Sequence, residues 1–116
     1  MADFSENQIQ QVWEKAKTIP GLDKNKYRTD YAGAIIQRDK YGNGQNELDY
    51  FWTIDHVRPL SKGGSNDSSN LVPLHWANNI SKSDDYPEFK TIITSEKNAN
   101  GKWCNAKKEQ KWEYKE

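Results

Sequence analysis

The 116-residue sequence predicts a small α+β domain. Three observations carry that: a helical apolar period near the N-terminus, an aromatic and β-branched run in the middle, and an Asn-Gly reversal between β-prone stretches near the C-terminus. Ile9, Val12, Trp13 and Ala16 recur at i, i+3, i+4 and i+7 within residues 5–18, and Ser5 and Gln8 stand where a capping box needs them. The spacing predicts an amphipathic helix there, ended by Pro20-Gly21, followed by a polar connection that holds Lys24, Lys26 and Arg28. Within Tyr31–Arg38 the pair Ile35-Ile36 reads as a short strand, and Tyr41-Gly-Asn-Gly44 as a turn.

Residues 50–57, Tyr-Phe-Trp-Thr-Ile-Asp-His-Val, read as a strand that puts Trp52, Ile54 and His56 on one face and Thr53, Asp55 and Val57 on the other. After Pro59 the composition of residues 61–69 is that of a loop. Leu71–Leu74 resumes as a second strand, and His75–Lys82 has room for about two helical turns before Ser83-Asp84-Asp85 and Pro87. Thr91–Thr94, a turn at Asn98–Gly101 and Lys102–Cys104 predict a hairpin. The last twelve residues fit an edge strand, a short helix or a tail, with Trp112 and Tyr114 as candidate anchors.

Composition narrows the function classes. Leu, Ile, Val and Phe number 19, a thin aliphatic core, but five Trp and six Tyr add buried area, and equal numbers of acidic and basic residues argue against a disordered chain. No apolar run approaches the ~20 residues of a membrane span, so the expectation is a soluble cytoplasmic protein with no membrane partner. The single Cys104 cannot form an intramolecular disulfide or complete a cysteine zinc cage, and is expected to be a part-buried small side chain. Zero net charge gives no global field for a polyanion, so anion binding must be local.

The chemistry concentrates between residues 54 and 84. Asp55 and His56 end a hydrophobic strand, where a carboxylate offers a hard oxygen to a cation such as Mg²⁺ and an imidazole can take a proton near neutral pH. Neighbours on a strand face opposite ways, so one can bind a metal while the other addresses water. Asn70 stands where the loop returns and can bridge backbone groups across it. Asn79 and Lys82, spaced i, i+3, share a helical face; the first offers a neutral hard oxygen and the second an ammonium suited to a phosphate.

Asp55-His56, Gly63-Gly64, Asn70-Leu71 and Asn79 with Lys82 together resemble the ordered motif of HNH endonucleases, the ββα-metal or His-Me finger nucleases, in the variant with Asn as third letter. Gly33–Arg38 and Tyr41-Gly42 resemble the lead-in of small stand-alone bacterial and phage members. The resemblance implies a ββα-metal finger over about residues 50–85 of a single domain spanning 1–116, with the N-terminal helix at about 5–18 and a C-terminal elaboration at about 88–116. It implies metal-dependent hydrolysis of DNA, with His56 as general base, Asp55 and the Asn79 oxygen on one divalent metal, and Asn70 holding the loop and orienting His56. An oxygen-only donor set favours Mg²⁺ or Mn²⁺. Arg58, Lys62 and Lys82 are candidate phosphate contacts. Many members carry two pairs of Cys on a structural zinc; here His75 and Asn78 take the place of one pair, so no structural zinc is expected.

In place of that zinc, Trp13, Trp52, Trp76 and Trp103 are the candidates for packing. His75 reads as a hydrogen-bonded structural residue, and Asn78 as a structural or helix-surface amide. With acidic and basic residues in balance, engagement of DNA is expected to be weak and metal-assisted, or helped by a second copy or a recruiting protein. A silent nucleic-acid-binding module of the same fold and a toxin or effector nuclease stay open as alternatives.

Overall fold

The computed structural model describes residues 4–115. Helix α1 (Glu6–Trp13) is closed at its start by the reciprocal Ser5–Gln8 capping box and buries Ile9, Val12 and Trp13. It stops earlier than the apolar period implied. The Arg28 side chain, itself buried, captures the Glu14 and Ala16 carbonyls through Nη1 at 3.1 Å each. The chain then turns into β1 (Lys17–Thr18), which pairs antiparallel with β2 (Tyr27–Thr29). The polar connection therefore contains a strand, and its basic residue Arg28 faces the core rather than water. The expected strand around Ile35 is β3 (Ile35–Gln37), third in that sheet.

Strands β4 (Trp52–His56) and β5 (Leu71–His75) pair antiparallel with Trp52 opposite His75 and His56 opposite Leu71. The loop between them carries two single 3₁₀ turns, Leu60–Lys62 and Ser68–Asn70. Both glycines of that loop are required by geometry. Gly63 has φ +87°, and a Cβ on Gly64 would lie 1.8 Å from the Arg58 carbonyl oxygen. Helix α2 (Trp76–Lys82) follows β5 at once, with His75 as its N-cap.

The C-terminal hairpin is much longer than the expected one. Strand β6 (Glu88–Lys97) pairs with β7 (Trp103–Glu113) around a turn in which Gly101 donates to the Asn98 carbonyl. Of the three fates open to the last residues, the edge strand is the one observed as far as Glu113. Side chains of β6 and β7 fasten to the 30–35 segment: Asn105 bonds both the N–H and the carbonyl of Ile35, Gln110 and Thr94 donate to the Ala32 carbonyl.

Trp13 and Trp52, both wholly buried with ring centroids 5.4 Å apart, centre the main core with Ile9, Val12, Ile36, Ile54 and Leu71. Trp76 packs half-buried against a smaller cluster of Ala34, Ala77 and Ile93. The packing role expected of Trp103 is not met: it is 47% exposed near the hairpin turn, where Lys97 lies over its ring. Cys104 is free and half-buried. No helix among the described residues is long and apolar enough to cross a membrane.

Candidate active site

Strand β4 presents its two faces to different neighbours. Trp52 and Ile54 enter the main core, while Thr53 and Asp55 meet α2. The Thr53 hydroxyl accepts from Asn79 Nδ2 at 2.7 Å, and Asp55 Oδ1 lies 3.2 Å from the Lys82 ammonium. At the strand end the chain opens into a cleft of about 440 Å³ whose lining includes Asp55, His56 and Asn79. The three motif residues that come from two elements of the sequence are thus brought to one cavity.

Asp55 is 4% exposed. Burial raises its carboxyl from 3.8 to about 6, against the opposing pull of Lys82 and His56. Only one of its oxygens is engaged; Oδ2 is buried with no hydrogen-bond partner among the described residues. A buried, unsatisfied carboxylate oxygen is an unfavourable arrangement unless a cation or a donor reaches it. Asn79 gives Nδ2 to Thr53 and, at 3.4 Å, to the Ile54 carbonyl, so Oδ1 is the atom it has left for a ligand. The residues present therefore fit a hard divalent cation held by one carboxylate and one amide oxygen, with the remaining positions left to water and phosphate. No group of three or more His, Cys, Asp or Glu gathers to hold a metal among the described residues, this cleft included, so the donor set here rests on one carboxylate and one amide.

His56 is half-buried, with the Phe4 ring 6.0 Å away, and its Nε2 lies 2.7 Å from Asn66 Oδ1. An amide oxygen can only accept, so the contact is a hydrogen bond when the imidazole carries a proton on Nε2, and the neutral tautomer that does so keeps Nδ1 as an acceptor. Asn66 went unremarked in the sequence because the loop composition marked it only as a turn former. Asn70 does not line the cleft and does not bond His56. It latches the loop: Oδ1 accepts from the Arg58 N–H at 2.9 Å, and Nδ2 donates to the carbonyls of Arg58 and Ser65.

The three candidate phosphate contacts separate. Arg58 and Lys62 are exposed on the loop, outside the cleft lining, where Arg58 Nε donates to the Lys62 carbonyl at 2.7 Å and its guanidinium lies over the Tyr86 ring. Lys82 departs from the expectation. It is 1% exposed, paired with Asp55 and donating to the His56 carbonyl at 3.1 Å, so its charge is used inside the fold and does not reach a phosphate in this conformation.

His75 and Asn78 are both wholly buried. Burial pushes the His75 imidazole below its ordinary value, and its neutral form is fully used: Nε2 donates to the Asp49 carbonyl at 2.6 Å and Nδ1 accepts from the Ala77 N–H. Asn78 Oδ1 accepts from the N–H groups of Ile92 and Ile93, and Nδ2 donates to Asp30 and to the Ile93 carbonyl.

Residues 40–85 match the family model described as HNH endonuclease. This segment belongs to the HNH endonuclease family. The matched HNH segment contains β4, β5, α2 and the loop latched by Asn70, and all three cleft residues Asp55, His56 and Asn79 lie in it. No curated protein and no solved structure matches the chain.

Proposed function

We propose that this chain is a metal-dependent endonuclease that hydrolyses DNA phosphodiester bonds, with β4, β5 and α2 as its ββα-metal unit. The observation that carries the reading is the partnerless Asp55 Oδ2, buried at the one cleft that also receives His56 and Asn79, inside the HNH segment. Asp55 Oδ2 and Asn79 Oδ1 would hold one Mg²⁺ or Mn²⁺. When bound, that ion supplies positive charge against the scissile phosphate and the leaving 3′ oxygen. His56 takes a proton from water at Nδ1 while Asn66 holds Nε2–H; the hydroxide attacks phosphorus as the bond from phosphorus to the 3′ oxygen breaks, the departing oxygen takes a proton from solvent water, and the products carry 5′-phosphate and 3′-hydroxyl ends. Asn70 acts at a distance, keeping the loop that carries Asn66 closed on the strand end. Arg58 and Lys62, exposed on the loop, would meet flanking phosphates as DNA enters.

The test is cleavage of supercoiled plasmid by the purified protein with Mg²⁺ or with chelator, beside a His56→Ala variant. Cleavage is expected only with metal and only with His56. Cleavage that persists unchanged in chelator or in the variant overturns the reading.

A further inference from the structure

The Lys82 ammonium occupies an unusual position for the most hydrated of side-chain cations. It comes from the last turn of α2 and is 1% exposed, and its charge sits between three groups: Asp55 Oδ1 at 3.2 Å, the His56 carbonyl at 3.1 Å and the face of the Phe89 ring at 5.3 Å. Two of these belong to the end of β4, where the acid and the imidazole stand side by side. The ammonium therefore ties the helix to the backbone of one cleft residue and the side chain of the other. It does so through one carboxylate oxygen only, and the other has no partner among the described residues.

We infer that Lys82 is a resident counter-cation of the cleft: a positioning residue that neutralises Asp55 and fixes the Asp55-His56 strand end when no divalent ion is bound, while keeping Oδ2 free for that ion. The inference rests on Asp55 being a metal ligand, as proposed above. A lone buried carboxylate is strongly disfavoured, and a site made only of acids and amides would depend on its metal to fold. An internal ammonium removes that dependence, because the carboxylate has a partner whether or not the ion is present. Attachment through Oδ1 makes the two cations additive on one carboxylate rather than mutually exclusive. With both in place the site carries a net positive charge, and that charge faces an incoming phosphodiester in a chain whose overall charge is zero.

The distinguishing consequence is a link between metal and stability that Lys82 suppresses. In chelator, Lys82→Met, which keeps an unbranched apolar stem out to Cε and removes the charged end, is expected to lower the melting midpoint by roughly 10–20 °C, since one partner of a buried pair is left alone. Millimolar Mn²⁺, used alone as the probe, is expected to raise the midpoint of Lys82→Met by clearly more than it raises that of the wild type, because in the variant the ion is the only counter-charge Asp55 has. In the Asp55→Asn/Lys82→Met protein the buried charge is gone from both sides, and it is expected to melt above Lys82→Met in chelator and to show no Mn²⁺ shift. Equal Mn²⁺ shifts in wild type and Lys82→Met overturn the inference. So does a double variant whose loss is the sum of the two single losses, or a Lys82→Met chain that stays unfolded in chelator and in Mn²⁺ alike. Plasmid cleavage by the wild type is run alongside: cleavage with equal Mn²⁺ shifts breaks the inference alone, whereas no cleavage and no Mn²⁺ shift in any protein breaks the endonuclease reading beneath it.

Discussion

Helix α2 lies between two sets of the same three residue types. Toward β6 stand Asp30, His75 and Asn78; toward the cleft stand Asp55, His56 and Asn79. In the first set each residue is at most 1% exposed and every polar side-chain atom is engaged. Asp30 alone accepts four hydrogen bonds, from the backbone of Ala32, Ala34 and His75 and from the Asn78 amide. In the second set one carboxylate oxygen is orphaned, one imidazole nitrogen keeps its lone pair, and one amide oxygen faces no donor among the described residues. Residue type does not distinguish a structural polar group from a chemical one here; the number of unsatisfied atoms does. The saturated set joins β5 and α2 to the 30–34 segment, to Asp49 and to β6.

The sharpest test of this contrast is the histidine pair. His56→Ala is expected to reduce plasmid cleavage by about 10²- to 10⁴-fold with little change in melting midpoint, whereas His75→Ala is expected to lower the midpoint. A His75 variant that melts like the wild type yet fails to cut would erase the distinction. The adjacent asparagines come next. Asn78→Ala strands four hydrogen-bond partners, three of them in buried bonds, and is expected to cost on the order of 3–5 kcal/mol in urea denaturation. Asn79→Ala is expected to cost about 1 kcal/mol or less and instead to raise the Mg²⁺ concentration needed for half-maximal cleavage.

The titrations of the saturated set oppose each other. Burial raises Asp30 from 3.8 to about 6, so the stability tied to its protonation is fully present below the ordinary carboxylate value and is lost as pH rises through about 6. Burial lowers His75, so the stability tied to its neutral form is present above its ordinary 6.5 and is lost as pH falls. Between pH 7 and 5 the two trends offset in the wild type. Asp30→Asn removes the first, and the variant, less stable at every pH, should lose urea resistance on acidification more steeply than the wild type. Parallel slopes would show that Asp30 does not titrate in that window. The smallest effect is expected at Asn66, which is exposed: Asn66→Ala should change stability by no more than about 0.5 kcal/mol and slow cleavage through the loosened His56 ring.

Much of the cleft could be read from the chain because its parts lie close in sequence. Asp55, His56 and Asn79 span one hairpin and the helix after it, and strand alternation with helical spacing places them without long-range information. Asn66 was missed because a loop residue's partner depends on how the loop closes. Lys82 was misplaced because helical phase puts it beside Asn79 but cannot tell whether that face meets solvent or a neighbouring strand; β6 covers it, with Phe89 over the ammonium. Similarly, α1 was read too long because the helical period continues through Ala16, while the carbonyls that end the helix are taken by Arg28 from another strand.

The sequence by itself determined the α+β class, the capped N-terminal helix, the β4–loop–β5–α2 order and the candidates Asp55, His56 and Asn79 that line one cleft, since each rests on periodicity, turn chemistry or local spacing. Only the tertiary structure decided which of two Asp-His-Asn sets is saturated and which is open, and that Lys82 faces inward. Those are matters of how many donors and acceptors arrive from distant segments, Asp30 to Asn78 and Asn78 to Ile93 among them, and no local pattern encodes that number.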